Sequence, residues 1–91
     1  MEVTLKMGEP LSTLVGGPSA RVALDGAHTV ADAFGEMERL HPGFAAELKR
    51  GEYDLPYNIF VNDRLVRWEK AAQTEVKDGD KIYLFLAVSG G

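Results

Sequence analysis

Tyr57-Asn58-Ile59-Phe60-Val61-Asn62-Asp63 is the stretch on which the reading of this chain turns. Residues 57 to 61 are rich in aromatic and β-branched side chains, which suit a pleated, half-buried surface. Asn62-Asp63 tolerates the left-handed conformations that a tight hairpin turn demands. The segment therefore reads as a strand, a turn and a short returning strand around Leu65 to Arg67. Downstream, Lys77-Asp78-Gly79-Asp80 is a second turn, which launches a last strand from Lys81 to Leu86. Upstream, Glu2 to Met7 alternates, with Val3, Leu5 and Met7 on one face and Thr4 and Lys6 on the other, the period of a half-buried strand. Arg21 to Asp25 resumes that alternation with Val22 and Leu24. Between them Gly8 to Ser19 holds the turn signal Gly16-Gly17-Pro18, so the first two strands are expected to pair as a hairpin with a long loop.

The middle of the chain is helical in pattern. Thr29 suits an N-cap, with Asp32 three residues on, and Val30, Ala33, Phe34, Met37 and Leu40 recur at helical spacing. His41-Pro42-Gly43 interrupts this helix. Phe44, Ala45 and Leu48 then suggest a second, short helical segment ending near Gly51, with Pro42 suited to its first position. The order is β-β-α-(α)-β-β-β. One principal helix is available to cover one face of one sheet, so the expected fold class is α+β. The architecture is the β-grasp, or ubiquitin-like, arrangement: a mixed sheet of about five strands, covered on one face by one main helix plus a short helical segment. Residues 1–86 form the domain, and 87–91 a flexible C-terminal Gly-Gly tail.

Facing determines what remains for function. With Ile59, Val61, Ile82, Leu84 and Leu86 turned to the helix beside Val3, Leu5, Val22 and Leu24, the opposite face receives Phe60, Tyr83 and Phe85. Large apolar groups on an uncovered sheet face mark a contact surface. The competing reading is that the loop Gly8 to Ser19, through Leu11, Leu14 and Val15, folds over these rings as a second small core.

Composition bounds the function. At 91 residues the chain suits one small domain, and its 45% apolar and 26% charged residues are those of a water-soluble fold. Its longest strongly apolar stretch, Ile82 to Val88, is far short of the ~20 residues of a membrane helix. The N-terminus lacks a signal-peptide pattern, so a cytoplasmic protein is expected. A net charge of −4 without a basic cluster argues against nucleic acid and favours a protein partner with a basic face. The chain has no cysteine, which removes disulfides, thiolate metal sites and a cysteine nucleophile. His28 and His41 are isolated from other ligands, and no metal site is expected. Asp78-Gly79-Asp80 lacks the rest of a calcium loop and reads as a turn. Trp68 and Tyr53 read as packing residues, and Arg64, Arg67 and Lys70 as a solvated strand end. No nucleophile-base pair or carboxylate dyad stands out, so an independent enzyme is not expected.

After Leu86 the sequence reads Ala87-Val88-Ser89-Gly90-Gly91. Five extended residues would project about 16 Å, enough to thread into another protein's active site. Glycine, lacking Cβ, suits a narrow channel. Together with Tyr57 to Asp63 and Asp78-Gly79-Asp80-Lys81-Ile82, this ending resembles the MoaD/ThiS family of sulfur carriers over nearly the whole chain. The Asn58 to Asp63 segment is most similar to molybdopterin synthase small subunits and cysteine-biosynthesis carriers. Where many members have prolines before the tail, this chain has Leu86 and Ala87.

The resemblance implies a carrier rather than an enzyme. An E1-like enzyme would use ATP to adenylate the Gly91 carboxylate, and a sulfurtransferase would help convert it to a thiocarboxylate, with no cofactor bound by the chain itself. The terminal sulfur would then serve an acceptor enzyme, such as a molybdopterin synthase large subunit, with cysteine biosynthesis and tRNA thiolation as alternatives. Val88, Ser89 and Gly90 would thread with Gly91. Phe85 matches a family position that packs on the partner, and face geometry adds Phe60 and Tyr83. A protein modifier conjugated through Gly91, and a plain interaction module for which the tail is irrelevant, are the competing functions.

Overall fold

The computed structural model describes residues 1–26, 28–54 and 57–86, with residues 50–54 as backbone only. In chain order the elements are β1 (Glu2–Met7), α1 (Leu11–Val15), β2 (Ser19–Ala23), β3 (His28–Thr29), α2 (Val30–Leu40), α3 (Phe44–Asp54), β4 (Tyr57–Val61), β5 (Arg64–Val66), a 3-10 helix (Trp68–Gln73), β6 (Glu75–Val76) and β7 (Lys81–Leu86). Five strands form one sheet in the order β2-β1-β7-β4-β5. β1 and β7 run parallel at its centre, and the other neighbours are antiparallel. This is the expected mixed β-grasp sheet. β3 and β6 form a separate two-stranded ladder through His28–Val76 and Thr29–Glu75.

Alternation along the strands builds the core. Val3, Leu5 and Met7 of β1, Val22 of β2, Tyr57, Ile59 and Val61 of β4, and Ile82 and Leu84 of β7 are all buried on the helix side. They meet Val30, Ala33 and Met37 of α2 and Phe44 and Leu48 of α3. α2 begins as its sequence predicts. The Thr29 hydroxyl accepts the Asp32 amide at 3.3 Å, and the Thr29 amide donates to the Asp32 carboxylate at 2.9 Å, a reciprocal capping box. The Thr29 amide first, and the Thr29 hydroxyl donating to the same carboxylate at 3.1 Å second, hold the Asp32 carboxyl below its ordinary range. Trp68 is a packing residue as expected, its ring 6.3 Å from that of Phe34 and its indole N–H donating to the Tyr57 carbonyl at 2.8 Å.

Several boundaries move. α3 matches α2 in length, 11 residues each, where the sequence pattern suggested a short segment, and it starts at Phe44, so Pro42 lies in the preceding turn. β5 begins at Arg64 rather than Leu65, because Val61 pairs with Arg64 directly across the two-residue turn. β2 starts two residues early, at Ser19. The loop Gly8 to Ser19 contains α1, whose Leu11 is fully buried in the main core. α1 packs beside α3 on the helix side, so the loop does not fold over the exposed aromatics. Tyr53 lies outside the described side chains, and Gly91, Gly90, Ser89 and Val88 outside the described residues.

Candidate docking face

The uncovered face of the sheet is assembled by strand register. Lys6 of β1 pairs with Tyr83 of β7, Tyr83 with Phe60 of β4, and Phe60 with Leu65 of β5. These four side chains form one row across four strands. Two residues along β7 from Tyr83, Phe85 stands on the same face beside its cross-strand partner Asn58. Phe60 is 36% exposed, Phe85 46% and Leu65 62%, and Tyr83 is half-buried. The Tyr83 and Phe85 rings stack with centroids 6.5 Å apart. The three aromatics expected on this face are thus brought together there.

Leu65 was not singled out by sequence reading, yet it is the most exposed of the apolar group. The signal was present: a two-residue turn at Asn62-Asp63 sets Val61 opposite Arg64 and hence Phe60 opposite Leu65. Starting β5 one residue late put Leu65 out of that register. Gly8 was also missed. A Cβ there would lie 3.2 Å from Phe85 Cδ1, so its missing side chain leaves room for the ring. The Gly8 amide donates to the Leu84 carbonyl at 3.2 Å, which keeps the two segments adjacent.

The far end of the face is fixed by the turn before β7. The Asp78 carboxylate accepts the Glu2 amide at 2.7 Å, and Asp80 accepts the Lys77 amide at 2.8 Å and the Asn62 side-chain amide at 3.1 Å. The Asn62 side chain in turn accepts the Lys81 amide at 3.1 Å. Asp78 and Asp80 therefore serve as acceptors that join β1, β7 and the β4–β5 turn. Gly79, at φ 88°, supplies the left-handed residue that this turn needs. Asn62 takes the same region at φ 56°, as its place in the hairpin requires.

The described side chains of this face offer apolar area, which suits recognition. Among the described residues, no group of three or more His, Cys, Asp or Glu side chains is placed to hold a metal ion. No helix among the described residues is long and apolar enough to cross a membrane.

Known proteins share this fold. The chain is 30% identical over 92 residues to small archaeal modifier protein 3 of Haloferax volcanii, with both chains covered in full. The crystal structure of SAMP1 from the same organism superposes with a TM-score of 0.77 at 29% identity, again over the whole of each chain. A chain of the Amycolatopsis orientalis BexX/CysO complex is 37% identical with a TM-score of 0.73, covering 98% of this chain and 99% of that one. The sequence model of the ThiS family matches residues 9–91. With the β-grasp sheet and its open aromatic face, that match identifies this chain as a member of the ThiS/MoaD family of ubiquitin-like carrier and modifier proteins.

Proposed function

We propose that this protein is a sulfur carrier that acts through Gly91. An E1-like partner activates the Gly91 carboxylate: a carboxylate oxygen attacks the α-phosphorus of ATP, pyrophosphate leaves, and an acyl-adenylate forms. The outer sulfur of a sulfurtransferase persulfide then attacks the acyl carbon and expels AMP, giving an acyl disulfide. A second thiol of the donor attacks the donor's own sulfur, releasing the thiocarboxylate and leaving the donor as a disulfide. The terminal sulfur is the nucleophile handed to an acceptor enzyme. The chain itself contributes no cofactor; ATP belongs to the activating partner.

The observation that carries this reading is that β7 supplies Tyr83 and Phe85 to the open face and ends at Leu86, the residue before 87–91. A partner seated on Phe60, Tyr83, Phe85 and Leu65 therefore holds the strand that leads into Val88, Ser89, Gly90 and Gly91. The Asn58 to Asp63 segment resembles molybdopterin synthase small subunits and cysteine-biosynthesis carriers alike, so molybdopterin formation, with a molybdopterin synthase large subunit as acceptor, and cysteine biosynthesis are the first pathways to test. Incubation with the activating enzyme, ATP and a sulfur source should replace oxygen by sulfur at the C-terminus in the intact mass. An unchanged mass under saturating enzyme would end the carrier reading, and removal of Gly90 and Gly91 should abolish the shift.

The full-length likeness to a protein named as a small archaeal modifier favours a second reading, in which activated Gly91 is joined to lysines of target proteins. Lysine side chains bearing a remnant of Gly90-Gly91 in digested cell extracts are its expected signature. Both readings use the same activation step and the same face.

A further inference from the structure

The charge on the open face opposes the charge of the whole. The chain carries −4, which from composition alone favours a partner with a basic face. On the strands of the uncovered face, however, Lys6, Arg21 and Lys81 stand against Glu2, with Asp78 and Asp80 in the turn at its far end. Register places the three cations together: Thr4 pairs with both Arg21 and Lys81, and Lys6 follows two residues later on β1. Their face is continuous with the apolar group, since Lys6 pairs with Tyr83 and Lys81 precedes Tyr83 by two residues on β7. Arg21 and Lys81 are exposed and Lys6 is half-buried.

Two cations outside this face are neutralised locally. Arg39 is paired with Glu36, and Arg67 with Glu69 at 3.6 Å. Among the described residues, Lys6, Arg21 and Lys81 have no ion-pair partner. Helices α2 and α3, by contrast, carry Asp32, Glu36, Glu38 and Glu47 against Arg39 and Lys49 among their described side chains. A face with an apolar half and an unpaired cationic half is matched by an apolar surface bordered by carboxylates, because opposite potentials speed encounter and fix orientation.

We infer that the activating enzyme meets this face with an apolar centre flanked by Asp and Glu side chains, and that Lys6, Arg21 and Lys81 steer the encounter. The inference rests on the carrier reading and adds to it the charge of the partner's docking surface. Steering of this kind acts on association and is screened by salt, whereas chemistry at Gly91 is not.

The test is the rate of pyrophosphate release by the E1-like enzyme from the same genome, measured as kcat/KM for the carrier between ~25 and ~300 mM NaCl. For the unmodified chain kcat/KM should fall about tenfold across that range. The Arg21→Glu/Lys81→Glu variant should lose about tenfold at low salt and show a flattened salt dependence, with kcat at saturating carrier little changed. Lys49→Glu/Lys70→Glu makes the same change in net charge away from the face, and should stay within about twofold of the unmodified chain. Arg21→Gln/Lys81→Gln, less disruptive to the strands, should fall between. A salt-independent kcat/KM for the unmodified chain overturns the inference, as does an equal loss in the Lys49/Lys70 control. Those results leave the carrier reading intact so long as pyrophosphate is released. No release from the unmodified chain at saturating enzyme and ATP would overturn both.

Discussion

Leu84 and Phe85 are consecutive residues of β7, yet Leu84 is fully buried beneath the helices and Phe85 is 46% exposed. The same contrast runs through the neighbouring strands, with Ile59 buried beside exposed Phe60 on β4 and Val66 buried beside exposed Leu65 on β5. The period of two places comparable apolar groups in two different environments. On the helix side they remove area from water during folding. On the open side that area is still available for association, which separates the residues holding the fold from those meeting a partner.

The largest expected effect tests the covered side. Leu84→Ala removes a fully buried side chain at the centre of the sheet and should cost about 2–5 kcal/mol in urea unfolding. A loss under ~1 kcal/mol would mean that the layer between β7 and the helices is loosely packed. On the open side Phe85→Ala should change stability by less than ~1 kcal/mol, because much of the ring is already in water. It should nevertheless slow thiocarboxylate formation about tenfold or more, as loss of a central apolar anchor does. If Phe85→Ala unfolds the protein as readily as Leu84→Ala, the distinction between the two sides fails.

A polar contact sharpens the same division. Trp68 donates its indole N–H to the Tyr57 carbonyl at the start of β4, and Tyr57 is buried. Trp68→Phe keeps an aromatic ring near Phe34 but removes the donor, and should cost ~1 kcal/mol in the same unfolding measurement. Activation by the E1-like partner should be unaffected at saturating carrier, since neither group belongs to the aromatic row.

Much of this division was legible in the sequence, for a physical reason. Apolar and polar residues alternate along β1, the length and turn-bounded composition of β4 and β7 mark them as strands, and the Thr29–Asp32 pair marks the start of α2 by the chemistry of its own side chains. These are local signals. The rest depended on partners distant in the chain. Nothing near Leu11 states that it will enter the core beside α3, so the loop over 8–19 could equally have been placed over the aromatics. The 3-10 helix at Trp68–Gln73 and the two-residue strands β3 and β6 are too short for periodicity to announce them. The cationic half of the face was hidden for a related reason: Lys6, Arg21 and Lys81 are far apart in sequence and become neighbours only through the register of β2, β1 and β7.

The smallest effect lies on the helix side, where charge serves the fold rather than a partner. Glu38, near the end of α2, accepts the Gly43 amide at 3.1 Å and the Ala45 amide at 2.8 Å. Backbone N–H groups at the start of α3 lack intrahelical acceptors, so the carboxylate caps one helix from the end of another. Those bonds, to Ala45 first and Gly43 second, hold the Glu38 carboxyl below its ordinary range. A depressed folded-state value means that the stabilisation is fully present above the ordinary glutamate range and is lost as pH falls through the folded-state value. Glu38→Gln keeps one acceptor oxygen but removes the charge. Its urea midpoint should therefore sit slightly below that of the unmodified protein near neutral pH, and the two should converge in acid. A gap of constant size across that range would show that Glu38 acts through shape alone, and would remove charge from the account of how α2 and α3 are joined.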